Sequence, residues 1–175
     1  PEAIKDPEGY WYGDYYFFIS FIFNNYLIYT TPYYFSYLLT PSYSFSFSLS
    51  FSPLSSNHAI LSVLAAGMAN GGAAGQEAGE KGLEFFKQLN EAGNFVPVIG
   101  KAGTLAQGAT PITIMWDYKA LAESDTLNGN TTVDVVVPKT GVLAGVYVQA
   151  ISAHAPHPNA AKLWMEYIYS DEGQN

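Results

Sequence analysis

Residues 108–124 read GATPITIMWDYKALAES, and this stretch shows how the chain is built. Pro111 to Trp116 is an apolar run with the length of a buried β-strand. Asp117 ends the run, and Lys119 to Ser124 follow as a short helix. A buried strand that leads directly into a helix is typical of α/β proteins.

The same alternation extends outward from this stretch in both directions. Apolar residues recur at helical spacing in several segments, and short apolar runs bounded by proline, glycine or asparagine lie between them. The predicted strands are 10–23, 95–98, 111–116, 133–137 and 145–151, and the predicted helices are 59–69, 77–92, 103–107, 119–124 and 160–169. This order predicts an α/β fold with a mostly parallel sheet flanked by helices.

The charge composition excludes several classes of function. The 175 residues include seven lysines, no arginine and fifteen acidic residues, and the net charge is −8. Nucleic-acid binding needs clustered lysine and arginine, so we expect no nucleic-acid partner. Without cysteine there is no disulfide framework, no cysteine-ligated metal and no thiol nucleophile. Because no catalytic motif emerges either, we expect a protein that is not an enzyme and uses no cofactor.

Residues Tyr15 to Asn57 differ in composition from the rest of the chain. They contain no Asp, Glu, Lys, Arg, Gly, Ala, Val, Gln, Met or Trp. Three interpretations compete: a membrane segment, a β-rich low-complexity segment, and residue identities that are not those of the natural protein, as after a frame error. We favour the third, because Asn24, Pro32 and Pro41 still lie where a strand, a turn and a short helix should meet. We therefore draw no chemistry from this window.

The end of the chain carries a recognisable motif. Residues 153–164 read AHAPHPNAAKLW and residues 170–174 read SDEGQ. This pattern resembles a hallmark of the extracellular (periplasmic) solute-binding proteins of bacterial ABC transporters. Residues 107–117 (QGATPITIMWD) and 9–13 (GYWYG) resemble two strands of the same family. The resemblance covers residues 1–16 and 56–175, and it is to the family 1 branch of polyamine, ferric-iron, thiamine and phosphonate receptors.

The resemblance implies a periplasmic-binding-protein-like type II fold with two lobes, of which the first is largely missing from this chain. Residues 1–22 would end the first lobe and form a hinge strand. Residues 23–144 would form the second α/β lobe. The window 15–57, whose identities we doubt, overlaps both of these segments. Residues 145–175 would supply the return hinge strand and a helix of the first lobe.

The resemblance also implies a function. The chain would be part of the substrate-binding component of an ABC importer, which captures a small solute in a cleft between the lobes and delivers it to the permease. The ligand stays open between a polyamine-like or other organic cation, a phosphonate and ferric iron. The expected location is periplasmic or extracellular, with or without a lipid anchor, and with a leader that this chain does not contain. The alternatives are an enzyme on the same bilobal fold and a membrane-associated interaction protein that uses residues 15–57.

Ligands of α/β proteins bind beyond the carboxyl ends of strands and near the N-termini of helices. The residues that we predict to contact the ligand on this basis are Trp116, Asp117, Tyr118, Tyr147, Gln149, Ser56 and Asn57. None of them is predicted to ligate a metal. The two histidines of the tail, His154 and His157, are separated by a proline and are interpreted as loop residues.

Each candidate also has an ordinary structural interpretation. Trp116 would stack on the ligand or be a core aromatic, and Asp117 would supply a countercharge or cap the helix that follows. Tyr147 and Gln149 lie two apart on one strand and so share a face, which is either a ligand-binding face or a buried one. The hydroxyl and amide of the Ser56-Asn57 pair would hold an anionic group or simply cap a helix.

Overall fold

The computed structural model describes residues 4–52, 54–129 and 132–174, and the chain divides into two compact units. The first unit consists of residues 1–17 and 144–175, and the second of residues 18–143. Strand β1 (Tyr12–Asn24) begins in the first unit and continues into the second. The assignment of these units to the lobes of a larger protein stays a prediction.

The second unit is built on a sheet with the strand order β2-β3-β1-β4, in which β2 is Phe47–Leu49, β3 is Ile112–Trp116 and β4 is Val133–Val136. β2 and β3 run parallel, whereas β1 runs antiparallel to both β3 and β4. The α/β class is confirmed, but the prediction of a mostly parallel sheet is wrong, because the sheet is mixed. The long crossover between β2 and β3 makes that pair parallel, and β1 enters between β3 and β4 in the opposite direction.

Helices cover both faces of this sheet. They are α1 (Asn57–Ala69), α2 (Gln76–Glu91), α3 (Ala102–Ala106) and α4 (Asp117–Leu127). On one face, Ile22 of β1 and Met115 of β3 pack with Leu105 of α3 and Ala120 of α4. On the other face, the ring of Phe21 packs edge-on against Phe35 and Phe47. Every residue of β3 is buried, as its apolar sequence predicts.

The window 15–57 folds in the order that its turn residues predict. After β1 come two short 3₁₀ helices, Phe35–Leu39 and Pro41–Tyr43, and then β2. The buried side chain of Asn94 donates its amide hydrogens to the carbonyl oxygens of Leu38 and Thr40 at 2.7 and 2.9 Å, and so anchors the first of these helices. In the described ranges, no helix is both long and apolar enough to span a bilayer.

Helices α1 and α2 are in direct backbone contact. A Cβ atom on Gly82 would lie 2.1 Å from the carbonyl oxygen of Val63, and one on Gly67 would lie 1.7 Å from that of Ala78. No side chain larger than hydrogen fits at either contact. These two glycines therefore set the distance between the helices.

Two segments differ from their predicted extent. The predicted strand 95–98 is reduced to one bridge between Phe95 and Phe47, because Pro97 has no N–H to donate and Val98 turns back to bond the carbonyl of Val96. The helix predicted over 119–124 begins earlier, at Asp117, and ends at Leu127, where Asn128 takes the left-handed conformation that closes helices.

In the first unit, β5 (Ala144–Gln149) pairs with β1, and the chain then forms α5 (Pro158–Ile168) and α6 (Asp171–Gln174). Helix α5 begins at the proline of the HPNAA motif, as predicted. None of its residues is buried, and the side chains of Leu163 and Trp164 are 73% and 59% exposed.

Candidate functional site

The candidate site in the second unit lies at the edge of the sheet where β2 and β3 end. Because these strands run parallel, their carboxyl ends meet at the same edge. The chain leaves β2 and enters α1 at Asn57, and it leaves β3 and enters α4 at Asp117. The topology therefore brings two predicted segments, Ser56-Asn57 and 116–118, to one place.

A buried histidine, His58, links these two segments. The imidazole of His58 stacks on the indole of Trp116, with ring centroids 5.1 Å apart and an interplanar angle of 19°. Its Nδ1 lies 3.3 Å from the hydroxyl oxygen of Ser50, and Phe51 packs edge-on against the ring at 5.5 Å. The only sequence signal for His58 was its position directly after Ser56-Asn57 at the start of a predicted helix.

Burial makes this histidine a poor base. His58 is 6% exposed, and desolvation, assisted by the positive charge of Lys119, lowers its pKa to about 4. Its Nε2 is buried and finds no hydrogen-bond partner among the described residues. The ring is therefore neutral at physiological pH, and it packs as an aromatic surface against the indole.

Trp116 itself is 4% exposed, and its stacking partner is this imidazole. This environment agrees with the interpretation of Trp116 as a core aromatic. Contact with a ligand would require one edge of the indole to be uncovered. The ligand-stacking role of Trp116 therefore stays a prediction.

The carboxylate of Asp117 accepts hydrogen bonds from two backbone N–H groups. Its Oδ1 accepts hydrogen bonds from the N–H groups of Phe18 at 3.2 Å and Tyr118 at 2.8 Å. Asp117 thus holds β1 beside the start of α4, where a negative charge is favourable. The ring of Tyr118 is 42% exposed and is accessible to solvent at this edge.

The start of α1 is not capped by a side chain. Ser56 occupies the N-cap position with extended backbone angles, yet its hydroxyl makes no capping hydrogen bond. No acidic residue lies in the first turn of the helix, and Asn57 is exposed. Ser56 therefore does not act as an ordinary cap. Its side chain accepts no hydrogen bond from the first N–H groups of α1.

The remaining predicted residues lie in the first unit. Tyr147 of β5 is 48% exposed, and its ring packs against those of Tyr15 and Phe17 at 4.9 and 5.0 Å. Gln149 is the last residue of β5 and is half-buried. By the alternation of a strand, its side chain shares a face with that of Tyr147.

Each unit also contains a cavity. In the second unit, a cavity of about 430 Å³ lies next to β3 and α4, and Met115 and Lys119 are among its lining residues. In the first unit, a cavity of about 540 Å³ is lined by Tyr10, Lys162 and Glu166, among others. Across the described ranges, no cluster of three or more His, Asp or Glu side chains is arranged to hold a metal ion.

The family model of the bacterial extracellular solute-binding proteins matches the chain from residue 1 to residue 175. The chain belongs to this family. The resemblance drawn from the HPNAA motif and the strand 107–117 is thereby confirmed. This solute-binding protein shares its family with receptors of the bacterial cell exterior, whose role is to bind solutes.

Solved structures of solute-binding proteins share the fold. Iron-bound HitA from Pseudomonas aeruginosa superposes with a TM-score of 0.71 at 18% identity, over 99% of this chain and 55% of its own length. The spermidine/putrescine ABC transporter substrate-binding protein PotD from Streptococcus pneumoniae gives 0.70 at 15% identity, over 96% and 51%. The Tp0655 (TpPotD) lipoprotein of Treponema pallidum gives 0.71 at 16% identity, over 96% and 52%.

These comparisons confirm the periplasmic-binding-protein type of fold. They show nothing beyond the fold, because the sequence identities are low. The chain spans about half the length of the solved structures that it matches, from 51% to 55% for these three. The search of curated proteins found no relative of this chain.

Proposed function

We propose that this solute-binding protein is part of the substrate-binding component of an ABC importer, which captures a small solute and delivers it to the permease. The observation that carries the proposal is the match of the family model over residues 1–175. The similarity to PotD, a substrate-binding protein of an ABC transporter, supports it. The partners are then a small-molecule ligand and the membrane subunits of the permease.

In this proposal, the second unit is the second lobe of the complete protein, and the first unit belongs to its first lobe. The similar structures are about twice as long as the chain, which supports a first lobe that extends beyond these residues. The exposed apolar side chains of α5, Leu163 and Trp164, also support it, because such a surface is usually covered in the complete protein.

The start of α1 is one part of the second unit that is suited to hold a ligand. Its N–H groups are not capped by Ser56, and Asn57 is exposed beside them. Tyr118 contributes an exposed ring at the same edge, and Asp117 keeps that edge in place. A ligand that contacts one conformation of the protein better than another shifts the population toward it, and this shift would signal occupancy to the permease.

We propose a periplasmic or extracellular location. The family description supports it, and the lipoprotein TpPotD supports the presence of a lipid anchor in at least one similar protein.

Thermal unfolding in the presence of single solutes tests the proposal. Spermidine, thiamine, phenylphosphonate and ferric citrate represent the ligand classes under consideration. A solute that binds only the folded chain stabilises it by about 2.7 kcal/mol at a concentration of 100 Kd, so at least one of the four should raise Tm clearly. Asn57→Ala should reduce that rise, and Asn90→Ala, an exposed amide on α2, should not. If none of the four solutes raises Tm, the proposal is wrong.

A further inference from the structure

The cavity of about 430 Å³ in the second unit has a specific chemical character. It lies beside the carboxyl end of β3, where Met115 and Lys119 flank the predicted ligand residues 116–118 in the sequence. Its apolar wall is formed by Ile99, Met115 and Phe51, and its charged groups are Lys101, Lys119 and Glu123. All three charged residues lie outside the window 15–57, whereas Phe51 of the apolar wall lies within it.

The two lysines of the cavity are not neutralised. Within the described part of the chain, neither Lys101 nor Lys119 has a carboxylate at ion-pair distance, in contrast to Lys81 and Lys87, which pair with glutamates on α2. The ammonium group of Lys119 lies 4.6 Å from the ring centroid of Phe51.

The one carboxylate that lines the cavity, that of Glu123, is hydrogen-bonded to the backbone. Glu123 accepts a hydrogen bond from the N–H of Ala102 through its Oε2, which ties α4 to the start of α3. Two ammonium groups and one carboxylate leave the cavity with a formal charge of +1, in a chain whose net charge is −8. An excess of positive charge at a cavity of an acidic protein attracts anions and repels cations.

We infer that the ligand is a small organic anion, with a carboxylate, phosphate or phosphonate group carried on an apolar body. The anionic group binds Lys101 and Lys119, and the apolar body packs against Ile99 and Met115. The inference rests on the proposed function, and it selects one ligand class from those that the sequence left open, against the polyamines and other organic cations.

Isothermal titration of the 175-residue chain with three probes tests the inference. Phenylphosphonate carries the expected charge and an apolar ring, inorganic phosphate carries the charge alone, and phenethylamine carries the ring with the opposite charge. We expect binding in the order phenylphosphonate, then phosphate, with no binding of phenethylamine. Lys101→Gln and Lys119→Gln should each weaken phenylphosphonate binding by roughly tenfold.

Lys87→Gln is the matched control, because it removes the same charge from an exposed lysine on α2 that does not line the cavity. It should leave the affinity unchanged. Lys119→Met retains the apolar stem of the side chain and serves if the glutamine variant unfolds. The inference is wrong if phenethylamine binds in preference, if phenylphosphonate does not bind, or if Lys87→Gln weakens binding as much as the cavity variants. Tight binding of phenethylamine would overturn the anion class and leave the importer function standing.

A second, independent observation concerns the window 15–57. Every amino acid from Tyr15 to His58 has a codon without guanine, whereas Asp14 and Ala59 on either side require one. Replacement of guanine by thymine turns the glycine codons GGT and GGC into phenylalanine codons. It likewise turns the aspartate codons into tyrosine codons and the alanine codons into serine codons. The substitution thus removes Gly, Asp and Ala and enriches Phe, Tyr and Ser, which is the composition of the window.

The backbone conformation at position 45 is consistent with such a substitution. Phe45 has a φ of +50°, in the left-handed region that glycine adopts freely and bulky residues avoid, and its ring is 73% exposed. The rings of Tyr26 and Tyr29 are 67% and 89% exposed, where polar side chains are usual. Position 45 suits glycine, and positions 26 and 29 suit polar residues, of which aspartate is one that this substitution would turn into tyrosine.

We infer that the natural protein has guanine-encoded residues within 15–57, with glycine at position 45. Resequencing of the gene, with peptide mass mapping of the protein purified from its natural source, tests this. Glycine at 45, with Asp, Ala, Gly or Val elsewhere in the window, is the expected result. Peptide masses that reproduce the residues Tyr15 to Asn57 as they stand would refute it.

Discussion

The imidazole of His58 stacks on the indole of Trp116, and this contact joins the first turn of α1 to the end of β3. The two segments meet because β2 and β3 are parallel, so the helices that follow them begin at a common edge. The same edge carries the exposed residues Asn57 and Tyr118. The stack therefore helps to hold the start of α1, with Asn57, next to the end of β3, with Tyr118.

Acid should destabilise the chain through His58. Its pKa is about 4 in the folded chain, against 6.5 for an ordinary histidine. Since the folded pKa is the lower one, the unfolded chain takes up a proton first as the pH falls. The stability that neutral His58 contributes is complete above about pH 6.5 and is lost between about pH 6.5 and 4, by at most about 3 kcal/mol. Urea unfolding at several pH values measures this loss.

His58→Phe keeps an aromatic ring on Trp116 and removes the titrating group, so its stability should vary less over that pH range. His154→Gln, which replaces an exposed histidine of the tail, is the control and should behave like the unchanged chain. Equal pH dependence in all three proteins would show that His58 is not the group responsible.

The contact between α1 and α2 should tolerate no added methyl group at Gly82. The new Cβ would lie 2.1 Å from the carbonyl oxygen of Val63, and the helices would have to separate. We expect Gly82→Ala to lower the free energy of unfolding by about 1–3 kcal/mol. Gly79→Ala is a matched control on the same helix, because the nearest atom to its Cβ is a side-chain carbon of Leu64 at 3.9 Å. That change should be neutral or stabilising by up to about 1 kcal/mol. Denaturant unfolding compares the two, and the same response in both would contradict the steric explanation.

Phe45→Gly should stabilise the chain, although it removes a large apolar side chain. The ring is mostly exposed, so little burial is lost, and glycine removes the strain of a positive φ, by about 1 kcal/mol. Phe45→Ala retains a Cβ in the same conformation and should gain less. Thermal unfolding of the three proteins ranks them, and a lower Tm for the glycine variant than for the unchanged chain would be evidence against strain at this position.

Ser56→Asp should change stability and affinity in opposite directions. A carboxylate at the N-cap accepts hydrogen bonds from the first N–H groups of α1, which the Ser56 hydroxyl does not cap, and should stabilise the fold by about 1 kcal/mol. The same charge repels an anion at this edge, so the affinity for phenylphosphonate should fall. Ser56→Asn provides a cap without charge, and it should stabilise the fold with a smaller effect on binding. An aspartate variant that binds the anion more tightly would contradict the anionic ligand class.

The elements with a regular pattern were predictable from the sequence. The buried strand 112–116, the amphipathic helix α2 and the helix that opens on Pro158 lie where spacing and capping residues place them. The direction of β1 in the sheet was not predictable, because antiparallel pairing depends on how distant segments meet and leaves no local signal. Pro97 shortened the predicted strand 95–98 through a missing hydrogen-bond donor, a feature that the sequence did display.

The positions of some candidate site residues could be predicted from the sequence. The topology brings Ser56-Asn57 and Trp116 together, as the rule on strand ends predicts. No pattern in the sequence pairs His58 with Trp116, since ring stacking between residues far apart in the chain has no spacing to recognise. Lys101 and Lys119 were missed for a similar reason: each is an ordinary surface residue in its own segment, and only the fold makes them neighbours of one cavity.

The two helices that begin at this edge differ in whether an acidic side chain compensates the positive end of the helix dipole. A helix macrodipole places about half a unit of positive charge at its N-terminus. In α4 that pole is met by the carboxylate of Asp117, whereas the first turn of α1 contains no acidic side chain. In a protein with a net charge of −8, most of the surface repels a diffusing anion, whereas the positive pole of α1 adds its attraction to that of Lys101 and Lys119. The asymmetry between two neighbouring helix ends thus contributes to the direction from which an anion approaches this edge.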